Sequence, residues 1–402
     1  MIEFVGRYNA HGVSMRISAL PLPTLLAGFI AVLVGYASSA AIIWQAAAAA
    51  GATPQQIAGW LTMLGIAMGI STLILTIWYR APILTAWSTP GAALLATSLA
   101  GSNINQAVGI FIFASFLILI CGASGLFARL MRIIPHSLAA AMLAGILLRF
   151  GLDTFTSLQG HFLLSGSMLV SWLALKLFAP RYAVVAALLA GLAVCLLSGE
   201  FKPDSHAVSI VLPVYTAPEF NWADLLGIGI PFFLVTMASQ NAPGVATLQA
   251  SGYPVPVSPL ITVTGLIALV LAPFGVFSVC IAAITAAICQ SPEAHPDKQR
   301  RWLAAAAAGV FYLLAGLFGG SISGLLTALP LAFIQTLAGL ALLSTIAGSL
   351  FQALSPARER DAAIITFLVT ASGISLLGVG AAFWGLIAGG ISYSLLSRQG
   401  NS

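Results

Sequence analysis

The sequence predicts an all-α polytopic membrane protein with fourteen transmembrane segments in two repeats of seven. Only 25 of its 402 residues are charged, or 6% of the chain, whereas a soluble globular protein carries about a quarter. Apolar residues make up 60% of the chain and fall in tracts of about 20, the length that crosses a bilayer core of about 30 Å. The longest polar stretch, about 199–224, is too short for a soluble domain.

The apolar tracts end at charged residues, prolines and glycine clusters, which divide the chain into segments. The first tract follows Arg7 and Arg16 and has no short hydrophobic region with a small-residue cleavage site, so we expect an uncleaved span. An even number of spans places both termini on one side of the membrane. The predicted segments are 22–48, 55–79, 82–100, 104–127, 135–152, 162–179, 182–199, 224–249, 256–273, 275–290, 301–319, 326–353, 361–377 and 380–397.

The basic residues support this number of spans, because Lys and Arg concentrate in cytoplasmic loops. With the N-terminus inside, 13 of the 15 basic residues fall in cytoplasmic segments, and only Arg149 and Lys202 lie towards the outside. The long outer loop is acidic instead. The cytoplasmic residues are Arg7, Arg16, Arg80, Arg129, Arg132, Lys176, Arg181, Lys298, Arg300, Arg301, Arg358, Arg360 and Arg398, and the outer acidic residues are Glu200, Asp204, Glu219 and Asp224.

The cysteines and the net charge exclude several classes of site. The four cysteines are scattered through apolar tracts without metal-ligand spacing, so we expect no disulfide framework, no metal and no cofactor. The net charge of +5 resides in short loops, where it reports topology, and we expect no nucleic-acid partner. The cysteines are Cys121, Cys195, Cys280 and Cys289.

Two parts of the sequence, about 200 residues apart, resemble each other and predict an internal repeat. Residues 34–51 align without a gap with 235–252, which pairs span 1 with span 8. Because seven spans per repeat is an odd number, the second copy must enter the membrane from the opposite face, as in many alternating-access carriers. The matches are Val34/Val235, Ala37/Ala238, Ser38/Ser239, Ala41/Ala242 and Gly51/Gly252, followed by Gly125-Leu-Phe/Gly316-Leu-Phe, Pro135/Pro330 and Leu143-Ala-Gly/Leu337-Ala-Gly.

Spans 3 and 10 are each predicted to be half extended and half helical. In span 3, Pro90 suits the first turn of a helix that Ser88 or Thr89 caps, so we expect extended chain to about Trp87. In span 10, the 17 residues from 274 to 290 would reach only about 26 Å as a helix, so we expect 276–280 to be extended. Extended chain at mid-membrane must pair with itself or line a cavity.

The two half-helices predict an anion site. Their N-termini, expected near 88–91 and 278–280, would aim backbone N–H groups and positive dipole ends at one point, and no Lys or Arg lies at midspan. Aromatic walls around that point suit an aromatic or small hydrophobic carboxylate. The alternative for each aromatic ring is packing against lipid or other helices. The alternative for Gln240 and Asn241 is a hydrogen bond between helices without ligand contact. The candidate substrate-binding residues are Tyr36, Ser38, Ser39, Trp87, Ser88, Thr89, Gly91, Ser239, Gln240, Asn241, Phe274, Phe277, Ser278 and Val279.

Four runs of the sequence resemble the BenE-type benzoate:proton symporter family. They are Thr85-Ala-Trp-Ser-Thr-Pro-Gly91, Arg129-Leu-Met-Arg-Ile-Ile-Pro-His136, Val235-Thr-Met-Ala-Ser-Gln-Asn-Ala-Pro-Gly244 and Ile288-Cys-Gln-Ser-Pro-Glu-Ala-His-Pro-Asp297. The family is similar in fold to uracil permease and sulfate permease transporters. That resemblance implies a core (transport) domain of spans 1–4 and 8–11 (22–127 and 224–319), a gate domain of spans 5–7 and 12–14 (135–199 and 326–397), and a substrate site between spans 3, 10 and 8.

The sequence departs from the nucleobase members of that group. They carry carboxylates on spans 8 and 10, whereas this chain has Ser239 or Gln240 and Phe277 or Ser278 there. The departure disfavours a nucleobase and fits an anionic substrate. It also removes the obvious proton carrier.

The resemblance implies import of benzoate or a similar aromatic carboxylate with a proton. An inward negative potential opposes anion entry by about 2.3 kcal/mol per charge per 100 mV, so uptake needs coupling. Asp153 and Arg149, four residues apart on one helix face, are expected to form a structural ion pair, with proton coupling as the alternative. His136 is expected at the surface or as a cap, and 293–297 in a solvated loop. The substrate could instead carry its own proton.

Three other functions stay open at this point. They are transport of another organic or inorganic anion, passive facilitation, and a membrane-embedded enzyme, which the positions of the five histidines in or near loops disfavour. We therefore expect no enzyme. We expect a multi-pass protein of a bacterial inner (plasma) membrane with both termini cytoplasmic, the lipid bilayer as its surroundings and a homodimer as the candidate assembly.

Overall fold

The computed structural model describes residues 21–127, 129, 135–202, 210–377 and 379–399, which are mostly helical. Two short strands interrupt the helices at the positions where the third and tenth segments begin. The helices are α1 (Leu22–Ala49), α2 (Pro54–Tyr79), α3 (Thr89–Ser98), α4 (Ile104–Ala123), α5 (His136–Gly160), α6 (Phe162–Phe178), α7 (Ala183–Ser198), α8 (Trp222–Ala250), α9 (Val257–Leu271), α10 (Ile284–Gln290), α11 (Trp302–Leu317), α12 (Gly319–Thr327), α13 (Leu331–Leu354), α14 (Arg360–Ala371) and α15 (Ala381–Gln399); the strands are β1 (Thr85–Ala86) and β2 (Cys280–Ile281).

Several helices have the length and hydropathy of membrane spans. Among the described residues, seven are long and apolar enough to cross a bilayer: α1, α2, α4, α5, α8, α9 with the helical turn that continues it to Phe274, and α13. The pair α11 and α12, bent by 60°, adds an eighth, and α6, α7 and α15 are shorter apolar helices. The chain is therefore a multi-pass membrane protein.

The bend between α11 and α12 is a feature that the sequence analysis missed. The predicted segments end at 319 and resume at 326, whereas a helix covers Gly319–Thr327. Gly319 packs so tightly on α2 that an added Cβ would meet the backbone nitrogen of Thr62 at 2.5 Å. Gly319 thus lets α12 lie close against α2, and the residues between the two predicted segments are helical.

Small residues let the helices approach one another closely, as is common in membrane proteins. The α2–α11 contact places Gly65 on Gly316, where an added Cβ would meet the partner's Cα at 2.6 Å. Similarly, α4 packs on α9 through Gly122 and Thr262. The other main packing partners are α5 with α13 and α14, α14 with α15, α6 with α7, and α1 with α3 and α11.

Helix α8 changes its winding twice. Residues Leu225–Gly229 and Met237–Asn241 form π-helical turns, and α-helix lies between and after them. Single π-helical turns inside α-helices are frequent at functional sites. The second turn contains the polar run of span 8, which faces the two strands.

Candidate functional site

The two strands cross and pair antiparallel at the centre of the helices. Thr85 lies opposite Ile281 and Ala86 opposite Cys280, and the Cys280 thiol donates to the Ala86 carbonyl at 3.2 Å. Three of these four residues are buried and Ala86 is half-buried. The pairing satisfies backbone groups that would otherwise be exposed within the membrane, where no water is available to them.

Hydroxyl groups of α2 hold β1 in its extended form. The Thr85 Oγ1 lies 2.6 Å from Ser71 Oγ and 2.8 Å from Thr72 Oγ1, and the Thr85 amide donates to Thr72 Oγ1 at 3.0 Å. One turn later, Thr76 Oγ1 donates to the Ile83 carbonyl at 2.7 Å. All of these side-chain hydroxyls are buried. The hydroxyl groups of these four side chains thus provide hydrogen bonds in place of the helical ones that this segment lacks.

Ser88 begins α3 and joins three elements. Its hydroxyl accepts a hydrogen bond from the Gly91 amide at 3.0 Å, which caps the helix, and another from Thr236 Oγ1 of α8 at 3.2 Å. Its own amide donates to Ser278 Oγ at 2.8 Å. Of the two caps that the sequence allowed, Ser88 is therefore the one formed. Gly91 is required here, because an added Cβ would meet the Phe232 ring at 2.6 Å.

The π-helical turn of α8 touches both extended segments. The Gln240 amide donates to the Trp87 carbonyl at 3.2 Å, on the segment before α3. The Asn241 side chain accepts from the Ile281 amide at 2.9 Å, on the segment before α10. Ser239 and Gln240 are half-buried and Asn241 is fully buried. Asn241 therefore holds backbone in place, whereas Ser239 and Gln240 border less tightly packed space.

Two aromatic side chains of the predicted set pack together beside β1. Trp87 is 3% exposed, and its indole N–H donates to Ser39 Oγ at 2.7 Å. The Tyr36 ring meets Trp87 edge to face at 4.8 Å between centroids, and Tyr312 lies on its other side at 6.3 Å. Within the described part of the chain the Tyr36 hydroxyl has no hydrogen-bond partner although it is buried. Tyr36, Ser39 and Trp87 thus form one polar–aromatic cluster next to the strands.

The remaining predicted site residues are more dispersed. The Phe277 ring packs within the core against Phe111 and Phe232, and Phe274 packs against Tyr215 at 5.9 Å. Val279 is fully buried in the extended segment. Ser38 and Thr89 are half-buried, and the Ser38 hydroxyl donates to the Gly35 carbonyl of its own helix at 3.0 Å.

The expected position of the second half-helix is wrong. The sequence analysis placed its N-terminus near 278–280, whereas α10 begins at Ile284 after Ala283, which provides no side-chain cap. The chain stays extended because its amides are bonded elsewhere: Ile281 to Asn241 and Ala282 to the Leu84 carbonyl at 2.9 Å. Ser278 therefore accepts a hydrogen bond in the extended segment and does not begin a helix.

The expected ion pair between Arg149 and Asp153 is also wrong. Arg149 is exposed, Asp153 is half-buried, and across the described residues no ion pair joins them. Instead, the Asp153 carbonyl accepts from Ser157 Oγ at 2.7 Å. With the cation N-terminal to the anion, the pair has the less favourable order, and an exposed pair contributes about 1 kcal/mol at most.

Arg149 borders the larger of two cavities that flank α5 and α8. This large cavity, of about 520 Å³, is bounded by the end of α3, the middle of α5, the start of α8 and the chain around 370–382. The small cavity, of about 180 Å³, is bounded by the start of α5, the second half of α8 and α13. His136, exposed at the start of α5, lines the small cavity together with Ser239.

The loop between α10 and α11 is less exposed at His295 than expected. His295 is only 8% exposed, and its Nδ1 accepts from the Asp297 amide at 3.0 Å. Arg301 donates to the carbonyls of His295 and Gln290, each at 2.9 Å. The solvated loop predicted here is therefore wrong for His295, because Arg301, the residue before α11, binds its backbone.

Sequence reasoning missed three residues of this region. Thr236 donates to Ser88, Tyr312 packs beside Tyr36, and Gln290 donates to the Pro82 carbonyl at 3.3 Å. Thr236 has a detectable signal, since it precedes Gln240 by four residues on the helix that carries the polar run. Tyr312 and Gln290 have none, because only the packing brings them near β1.

The chain matches a protein family and two proteins of known sequence. The family model BenE, described as benzoate membrane transport protein, matches residues 18–395. The Escherichia coli (strain K12) inner membrane protein YdcO is 66% identical over 383 residues, which are 95% of this chain and 98% of that protein. A benzoate membrane transport protein of Acinetobacter baylyi is 38% identical over 377 residues, 94% of this chain and 96% of that one.

Solved structures of anion transporters share the fold. The transmembrane domain of the cyanobacterial bicarbonate transporter BicA superposes with a TM-score of 0.61 at 12% identity, over 92% of this chain and 97% of that domain. SLC26A9 superposes with a TM-score of 0.62 at 13% identity, over 93% of this chain and 65% of that one. At these identities the likeness concerns the fold alone.

Proposed function

Because this chain belongs to the benzoate membrane transport family, we propose that it imports benzoate or a similar aromatic carboxylate with a proton, by alternating access. The family makes the chain a membrane transport protein and not an enzyme. The proposal also specifies the substrate, the coupling to a proton and the domains that move. They rest on the structure around the two strands.

One observation carries the proposal: the paired strands meet the start of α3 beside a polar–aromatic cluster. The Ser88 cap directs the N-terminus of α3 towards the strands, where its dipole favours negative charge. Trp87 and Tyr36 offer aromatic faces, and Gln240 and Ser239 offer polar groups in half-buried positions. The aromatic faces would bind the ring of an aromatic carboxylate, and the electropositive helix end would bind its carboxylate group.

The proposed site keeps the residues predicted from the sequence, with distinct roles. Tyr36, Ser39, Trp87, Ser239 and Gln240 would contact the substrate. The second helix end that faces it would be 283–285 of α10 instead of 278–280. The others would support the site by packing or hydrogen bonding: Ser38, Ser88, Thr89, Gly91, Asn241, Phe274, Phe277, Ser278 and Val279.

We further propose fourteen spans in two inverted repeats. Paired positions in the two halves have like structures, which supports this arrangement. Gly51 and Gly252 both follow a helix in the left-handed conformation, with φ of 72° and 78°. Pro135 and Pro330 both precede the first residue of a helix, and those two helices, α5 and α13, pack on each other.

The two domains of the proposal would move against each other. The core would be 22–127 with 224–319, and the gate 135–199 with 326–397. Helix packing supports this division, since α2 lies on α11 and α4 on α9 in the core, and α5 lies on α13 and α14 in the gate. Both cavities have walls from core and gate helices, and they lie beside different parts of α5, the small one at its start and the large one at its middle. Relative movement of the domains would widen one cavity and narrow the other.

The proton carrier is the least constrained part of the proposal. The residues that hydrogen-bond around the strands include no Asp, Glu or His among those described. Asp153, half-buried four residues beyond Arg149, is the side-chain candidate. The alternative is entry of the carboxylic acid with its own proton.

In the cell we place the protein in the bacterial inner membrane, like the E. coli relative, with both termini cytoplasmic. This orientation puts the start of α5 and the small cavity at the cytoplasmic face, and the large cavity at the outer face. A homodimer is the proposed assembly.

Uptake of radiolabelled benzoate into proteoliposomes tests the proposal. We expect accumulation driven by an inward proton gradient for the wild type, and its loss in Gln240→Ala and Trp87→Ala. Unimpaired uptake by both folded variants would place the site elsewhere. Asp153→Asn separates the two routes for the proton, because gradient-driven accumulation that survives in it favours a proton carried by the substrate.

A facilitator is the second candidate function, and the same missing carboxylates favour it. A facilitator would let benzoate equilibrate without accumulating, whatever the proton gradient. The comparison of final internal concentrations with and without the gradient therefore decides between the two functions.

A further inference from the structure

The large cavity has the size of a small-molecule binding site and a lining that combines polar and apolar residues. Its volume of about 520 Å³ lies within the range of about 300–1,000 Å³ that small-molecule sites occupy. Leu94 of α3, Ile146 of α5 and Ile228 of α8 give it apolar walls on three sides. Serine and threonine side chains, among them Thr97 and Ser375, supply polar groups.

Two charged side chains of opposite sign line this cavity. Arg149 comes from α5 and Asp224 from the start of α8. Across the part of the chain that the structure describes, neither forms an ion pair, and the Arg149 guanidinium donates no hydrogen bond to another residue. An unpaired guanidinium can bind a carboxylate through two parallel hydrogen bonds. The cavity thus offers a cation to an anionic group and apolar walls to a ring.

We infer that the large cavity is an access site in which Arg149 binds the carboxylate of the substrate before it reaches the strands. The ring would lie against Leu94, Ile146 and Ile228. Asp224 would repel the anion and keep its residence short, since a site on a transport path must bind strongly enough to admit its ligand and weakly enough to release it. The identity of the substrate rests on the proposed function, whereas the anion preference rests on Arg149 alone.

A cysteine placed in the cavity tests the anion preference directly. Ser375 is exposed and lines the cavity, so Ser375→Cys supplies a thiol there with little change in size. The four native cysteines are buried, which keeps background labelling low. We would compare the labelling rates of an anionic and a cationic methanethiosulfonate reagent of similar size.

The two charged residues should have opposite effects on the ratio of the anionic to the cationic labelling rate. Relative to Ser375→Cys alone, we expect Arg149→Gln to lower the anionic-to-cationic rate ratio and Asp224→Asn to raise it, each by about threefold at low salt. Arg358→Gln, which removes an exposed cation outside the cavity, should leave the ratio unchanged. Two results would overturn the inference: an anionic-to-cationic rate ratio that Arg149→Gln leaves unchanged, or an equal change of that ratio in Arg358→Gln.

Benzoate itself distinguishes this inference from the proposed function. We expect benzoate to slow labelling of Ser375→Cys in a saturable manner, and Arg149→Gln to weaken that protection. Normal uptake without any protection would overturn the access site and leave the proposed function standing. Protection that requires Arg149, in a protein that takes up no benzoate, would support the access site and refute the proposed function.

Discussion

At the scale of single residues, the Ser88 hydroxyl serves two buried donors at once. Ser88→Ala removes the acceptor for two buried donors, the Gly91 amide and the Thr236 hydroxyl. A buried donor left without a partner costs about 1–3 kcal/mol. We expect the free energy of unfolding in detergent to fall by about that amount, measured by chemical denaturation, and benzoate uptake to fall with it.

Thr89→Ala is the matched control for Ser88→Ala. Thr89 is the next residue, is half-buried, and makes no side-chain hydrogen bond to the described residues. Its substitution should change the free energy of unfolding by less than about 0.5 kcal/mol. Equal stability losses in the two variants would mean that the cap does not hold α3.

Thr85 tests whether the hydroxyl groups of α2 fix the strand. Thr85→Val keeps the shape of the side chain but removes the oxygen that lies within 2.8 Å of both Ser71 and Thr72 hydroxyls. We expect the free energy of unfolding to fall by about 1–3 kcal/mol. Thr264→Val is the control, because the buried Thr264 hydroxyl donates to carbonyls of its own helix. A smaller loss for Thr85→Val than for Thr264→Val would contradict this role.

At the scale of elements, Gly244 keeps α8 against β2. An added Cβ at Gly244 would overlap the Ile281 carbonyl oxygen, which belongs to the backbone and cannot rotate away. We expect Gly244→Ala to destabilise the protein by about 1–3 kcal/mol through overpacking, and to abolish uptake by displacing β2. Thermal unfolding and transport would both be measured.

Gly390→Ala is the control for Gly244→Ala. Gly390 lies in α15 with open space around it, so an added Cβ meets nothing within 4 Å. Alanine stabilises a helix by up to about 1 kcal/mol relative to glycine. The two substitutions should therefore change the unfolding temperature in opposite directions, and a loss of stability in both would show that neither result reports contact with β2.

Elements with a local chemical signal were the ones that the sequence predicted well. Pro90 and Ser88 mark the start of α3, which begins at Thr89, one residue before the expected position. No proline or capping side chain marks the start of α10, and that boundary was missed by several residues. The chain there stays extended because of Asn241 and Leu84, which are distant in sequence.

The site residues, too, were predicted where they have a local chemical signal in the sequence. Ser88, Trp87 and Gln240 follow from a helix start and a polar run, and the structure joins them through hydrogen bonds. The Arg149–Asp153 spacing was equally regular but misleading, because helical spacing permits an ion pair without stabilising it. The large cavity has no sequence signal, since residues from five separate helices line it.

At the scale of the whole molecule, the proposal requires that the two cavities open to opposite sides of the membrane. Ser375 lines the large cavity and Gln352 the small one, and both side chains are exposed. One helix, α14, separates them in the chain, and the proposal requires it to cross the membrane. With both termini inside, Ser375 would then lie at the outer face and Gln352 at the cytoplasmic face.

Labelling of intact cells and of inside-out vesicles with a membrane-impermeant thiol reagent checks this sidedness. We expect Ser375→Cys to react in cells and Gln352→Cys only in the vesicles, while the wild type reacts in neither because its cysteines are buried. Reaction of both variants from one face would mean that α14 does not cross the membrane. The total number of spans would then be thirteen, an odd number, so the termini would lie on opposite sides of the membrane and the second repeat would lack a span that the first one has.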